Sequence, residues 1–102
     1  MNHESSVLRA CLGYLRAKCH FVFRVNGGAF QTAQGGWVRC TDTPGVADIV
    51  GVSKDGKALA VECKSSVGRQ SMPQRAFEKA WKEKGGLYVL ARGIEDLQEA
   101  GL

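Results

Sequence analysis

A chain of 102 residues, 44% of them hydrophobic, makes one small domain over 1–102 with a single core. Its 14 Lys and Arg against 10 Asp and Glu leave a net charge of +4, which favours a polyanionic partner such as nucleic acid. No apolar run approaches the roughly 18 residues of a membrane span, and the four cysteines (Cys11, Cys19, Cys40, Cys63) lack C-x-x-C spacing, with His3 and His20 adding no ligand cluster. Those features argue against a membrane span and a zinc site, and lead to the expectation of a soluble, reduced, cytoplasmic protein.

Residues 3–19 read as a first helix, because Val7, Leu8, Cys11, Leu15 and Cys19 recur at helical spacing. Asn2 fits an N-cap, and Glu4 suits the first turn of the helix dipole. Glu4 also begins the stripe Glu4, Leu8, Cys11, Leu15, at the edge of the inward face. Residues 20–26 are β-branched and aromatic and read as a strand ended by Gly27-Gly28. Ala29–Gly36 reads as loop, with Trp37–Cys40 as a returning hairpin strand and Pro44-Gly45 as the strongest breaker. Trp37 suits core or dimer packing, or stacking on an unpaired base.

Ala47–Ser53 and Lys57–Ser65 read as a hairpin around Lys54-Asp55-Gly56. The turn decides the chemistry. A two-residue turn sets Asp48 opposite Cys63, with Asp48 and Glu62 on opposite faces. A three-residue loop with Gly56 left-handed pairs Ser53 with Lys57 and sets Asp48 opposite Glu62. After a polar loop containing Gly68-Arg69, Ser71 and Gln74 form a capping box, and Phe77, Ala80 and Trp81 line the inner stripe of a second helix. Gly85-Gly86 ends that helix. Leu87–Ala91 is an apolar run expected to be covered on both faces, and Ile94–Gly101 a short last helix anchored by Leu97. The order is α-β-β-β-β-α-β-α, an α/β (α+β) fold with a mixed central sheet flanked by helices.

The strand Ala60–Lys64 carries Glu62 and Lys64 on one side, because strand side chains alternate. Taken alone, this is an ordinary exposed ion pair. The apolar flank Ala58–Val61, Asp48 a hairpin away, and Gln74 on the stripe of Phe77 and Trp81 favour a metal-ion site instead. Mg²⁺ takes oxygen ligands, and Asp48, Glu62 and the Cys63 backbone carbonyl supply them. Lys64 beside them would orient water and neutralise phosphate charge.

With Gly45-Val46-Ala47-Asp48, Glu62-Cys63-Lys64, Gly68-Arg69 and Gln74 in this order, the chain resembles the PD-(D/E)xK nuclease superfamily. In particular it resembles small stand-alone phage and bacterial VRR-NUC nucleases. The residue before Asp48 is Ala47, where that family has proline. The resemblance runs from Glu4, matching an acidic residue of the family's first helix, through Arg24-Val25-Asn26, to about Arg92. It implies a restriction-endonuclease-like core, dependence on Mg²⁺ or Mn²⁺, and catalytic roles for Asp48, Glu62, Lys64 and Gln74, with Glu4 a candidate further ligand. It also implies a homodimer cutting branched DNA in the manner of a Holliday-junction resolvase. Arg24, Asn26, Arg39, Arg69 and Arg75, with Lys79, are the candidates for phosphate contacts, and Arg69 is the best placed. Activity on flaps, linear DNA or RNA, and a non-catalytic DNA-binding module, are the alternative expectations.

Overall fold

The computed structural model describes residues 3–25, 29–39 and 42–102, without the side chains of 29, 30, 38 and 39. The elements are α1 (Glu4–Ala17), β1 (Phe21–Arg24), β2 (Ala29–Gln31), β3 (Trp37–Arg39), β4 (Ile49–Val52), β5 (Ala58–Cys63), α2 (Met72–Glu83), β6 (Leu87–Ala91) and α3 (Ile94–Glu99). A four-stranded mixed sheet runs β1-β4-β5-β6, antiparallel except for the parallel pair β5–β6. The parallel step follows from α2 crossing between β5 and β6. This is an α+β fold with three helices among the described residues.

Strand alternation sorts the side chains into two layers. Val22, Ile49, Leu59, Val61, Cys63, Val89 and Ala91 face α1 and α3, where they pack with Val7, Cys11, Leu15 and Leu97. Leu15, Ile49, Leu59 and Leu97 are fully buried there, each stabilising the fold by about 1.5–3 kcal/mol. On the opposite face Ala47, Ala60 and Tyr88 pack with Val50, Leu90, Phe77 and Trp81. Phe77 stacks on Trp81 with centroids 5.4 Å apart, and the Trp81 indole N–H donates to the Leu87 carbonyl at 3.1 Å. Strand β6 is thus covered on both faces, as its apolar run predicts. Cys11 and Cys63 behave as small buried hydrophobes, and Leu97 anchors α3.

The β4–β5 loop resolves the register. Ser53 N–H donates to the Lys57 carbonyl at 2.7 Å, the Ser53 hydroxyl accepts the Lys57 N–H at 3.0 Å, and Gly56 takes φ +88°. This is the three-residue loop; the strand pairing ends at Ile49–Val61, and Asp48, in a bend just before β4, extrapolates along that register to a position opposite Glu62. The other end of β1 is fixed by His20, which is buried and accepts the Lys54 N–H through Nδ1 at 3.0 Å.

Four expectations need correction. Ala29–Gln31 is a strand, because it pairs with Trp37–Arg39 in a separate two-stranded sheet, so β3 does not return alongside β1. Trp37 is 71% exposed and joins neither buried cluster of the described residues, which goes against core packing and leaves dimer packing and base stacking untouched. Ala80 is exposed: on α2 it lies beside the apolar stripe, which narrows to Phe77 and Trp81. The α1 N-cap is His3, with no side-chain cap bond, while Asn2 lies outside the described residues.

Candidate metal centre

The site forms at one end of the sheet, where β5 finishes and β4 begins. Because β4 runs antiparallel to β5, Asp48 and Glu62 meet there on the α2 side. The Cys63 N–H donates to Asp48 Oδ2 at 2.8 Å, which fixes that carboxylate against the strand. The next peptide N–H, of Lys64, donates to the Ala91 carbonyl of β6 at 3.0 Å. In a trans peptide the carbonyl points opposite to its N–H, so the Cys63 carbonyl faces away from β6, toward Asp48.

Helix α2 delivers Gln74 through its cap. Ser71 Oγ accepts the Gln74 N–H at 3.3 Å, and Gln74 Oε1 accepts the Ser71 N–H at 2.8 Å. The same amide then donates through Nε2 to Glu62 Oε2 at 2.9 Å. Gly45 seats this turn. It has φ +73°, and a Cβ there would stand 2.2 Å from the Pro73 carbonyl carbon and oxygen and 2.6 Å from the Gln74 nitrogen. Only glycine allows the chain before Asp48 to lie against the start of α2.

Glu4 completes the cluster from α1. Carboxylate oxygens of Glu4, Asp48 and Glu62 lie within 4.8 Å of one another. Lys64 Nζ stands 3.3 Å from Glu62 Oε2 and 3.5 Å from Glu4 Oε1. Three carboxyl groups face one ammonium. Glu62 is 1% exposed, and its Oε1 is buried without a hydrogen-bond partner among the described residues. Burial first, then the charge of Asp48, push the Glu62 carboxyl up to about 7 against the opposing pull of Lys64. Burial likewise raises Asp48, while the Cys63 N–H opposes the shift. A buried carboxylate oxygen without a donor is costly, and a bound cation removes that cost.

The basic candidates divide. Arg24, Arg69 and Arg75 are exposed at the sheet end that carries the acidic cluster: at the end of β1, in the β5–α2 loop, and in the first turn of α2. Asn26 and the Arg39 side chain lie outside the described residues. Lys79 is exposed further along α2, and Lys82 pairs with Glu78 at 2.7 Å on an ordinary charged face.

Three contributions are missing from the sequence-based reading. The Cys63 N–H on Asp48 depends on register, and the contact of Gly45 with Pro73 depends on how α2 docks. The bridge from Lys64 to Glu4 had a partial signal, because Glu4 starts the inward stripe of α1. Beside the site, Arg92 donates to the Ser65 carbonyl and ties the end of β6 to the β5–α2 loop. No helix among the described residues is long and apolar enough to cross a membrane. No protein family, curated protein or solved structure matches this chain.

Proposed function

We propose that this protein is a divalent-metal-dependent nuclease that hydrolyses DNA phosphodiester bonds on a restriction-endonuclease-like core. The observation that carries the reading is the convergence of the Asp48 and Glu62 carboxylates, with oxygens within 4.8 Å of each other, beside Lys64, together with the buried Glu62 Oε1 that has no hydrogen-bond partner among the described residues. The donor set fits a hard cation. All of its donors are oxygens, and the three carboxylate oxygens lie within 4.8 Å of one another. Asp48, Glu62 and the Cys63 carbonyl would hold the ion, with Glu4 reaching it from α1.

A bound Mg²⁺ or Mn²⁺ supplies a water of lowered pKa and charge neutralisation at the phosphate. The protein's own groups do the rest. Gln74 holds Glu62 Oε2, while Oε1 has no hydrogen-bond partner among the described residues. The Cys63 N–H orients Asp48. Lys64, 12% exposed, offers a positive charge to the developing charge on a phosphate oxygen or to the attacking water. The ordered motif from Gly45 to Gln74 supports a VRR-NUC-like nuclease, and a homodimer would place two such centres on the two strands of a branched DNA.

Calorimetric titration with Mn²⁺ tests the metal assignment. Binding is expected in the wild type and lost in Asp48→Asn and Glu62→Gln. Absence of binding in the wild type would refute it.

A further inference from the structure

A second feature lies at the same end of the sheet, on the α1 side. Ser5, Leu8, Arg9 and Leu12 of α1 and Arg24 of β1 line a cavity of about 300 Å³. The local geometry explains it. Positions 5, 9 and 12 fall on one row of a helix. Val22 is buried beneath α1, and alternation turns Arg24 to the same face two residues on, beyond the packed part of the helix. The aliphatic floor comes from Leu8 and Leu12, and the polar groups are two guanidiniums and one hydroxyl.

Neither arginine has a hydrogen-bond or ion-pair partner among the described residues, and no acidic side chain lines the cavity. Glu4, the nearest carboxylate in sequence, is engaged with Lys64. Both guanidiniums line one concavity, and their planar donors match phosphate oxygens. The cavity is also placed for a strand. Arg24 pairs with Ile49, the neighbour of Asp48, and Ser5 follows Glu4, so the cavity lies at the sheet end that carries the acidic centre.

We infer that the Ser5–Arg9–Arg24 cavity is a phosphate-binding subsite that seats a DNA backbone phosphate next to the one held at the Glu4–Asp48–Glu62 centre. Arg9 and Arg24 grip the phosphate and the Ser5 hydroxyl donates to it. The subsite sets which phosphodiester of the strand reaches Lys64. This deepens the nuclease reading and rests on it for the register of the strand, while the subsite itself is tested without cleavage.

The experiment measures binding of a labelled duplex and a labelled four-way junction in Ca²⁺ across 50–200 mM salt. It compares wild type, Arg9→Gln, Arg24→Gln, Arg9→Lys, Arg24→Lys and Lys57→Gln. Lys57→Gln removes the same unit of charge from the opposite end of the sheet, where the side chain is exposed. Each lost phosphate contact lowers the slope of log K against log salt by about 0.7–0.9, so the affinity ratio between the two salt limits shrinks roughly threefold. That loss is expected for Arg9→Gln and Arg24→Gln on at least one DNA, none for Lys57→Gln, and a retained slope for Arg9→Lys and Arg24→Lys. Equal slopes for all variants on both DNAs would overturn the subsite. So would inorganic phosphate binding the cavity at constant ionic strength without any slope change on DNA, since that describes a small-anion site. Mn²⁺ titration of the same variants separates the two claims. Slope loss with no metal bound by wild type keeps the subsite and refutes the nuclease, while metal-dependent cleavage with unchanged slopes does the reverse.

Discussion

The two ends of the β4–β5 hairpin carry nearly the same residue types and treat them in opposite ways. At the turn, Lys54, Asp55 and Lys57 are exposed, and among the described residues no salt bridge joins them. At the open end, Asp48, Glu62 and Lys64 are drawn against the sheet, with Glu62 at 1% exposure and Lys64 within 3.5 Å of two carboxylates. The glycines differ in the same way. Gly56 is left-handed with open space around its missing Cβ, whereas Gly45 is left-handed and packed on Pro73. Acidic and basic residues around a hairpin are therefore uninformative in themselves. The signal is charge that the fold buries at some cost, with one oxygen left without a donor.

The largest expected effect breaks this contrast outright. Lys64→Met lowers metal-dependent cleavage by roughly 10²–10³-fold through loss of charge stabilisation, while Lys57→Met leaves the rate unchanged. Single-turnover rates on the best substrate check the pair. Next comes the glycine comparison by urea unfolding. Gly56→Ala costs about 1 kcal/mol from backbone strain alone, and Gly45→Ala costs about 1–3 kcal/mol more because Pro73 and Gln74 must move.

A pH series sharpens the electrostatic side of the comparison. In the unfolded chain Glu62 titrates at its ordinary value of 4.5, and in the metal-free fold at about 7. The folded state therefore binds the proton more tightly. The stability this contributes is fully present below pH 4.5 and is lost as pH rises through 7. Metal-free protein is expected to lose thermal stability over that range, Glu62→Gln to flatten the Glu62 contribution, and Mn²⁺ affinity to rise over the same window. Gln74→Ala is the smallest of these effects, about 1–2 kcal/mol from the capping box and the bond to Glu62. Equilibrium denaturation measures it.

Much of the scaffold was legible because it rests on local pattern. The capping box Ser71–Gln74, the run Leu87–Ala91 and the stripe Val7, Cys11, Leu15 each specify one element and one buried face. Strand β2 was not legible, since Ala29-Phe30-Gln31 is too short to show a period. The site was legible as a set of residues but not as a geometry. Two loops of different length fit Lys54-Asp55-Gly56, and the choice rests on the Ser53 hydroxyl accepting the Lys57 N–H. Arg9 escaped the list of candidate phosphate contacts because its convergence with Arg24 joins α1 to β1 across the chain.

The most direct test is a cleavage assay on a four-way junction, a 5′ flap, a linear duplex and RNA, with Mg²⁺ or EDTA, using wild type, Asp48→Asn and Glu62→Gln. Both substitutions keep the side-chain volume, and the amide introduced by Asp48→Asn retains an oxygen for the Cys63 N–H. Wild type is predicted to cut in a Mg²⁺-dependent manner, fastest on the junction, and neither variant to cut at all, with DNA binding retained. Cleavage that survives both substitutions would contradict the metal-centre assignment.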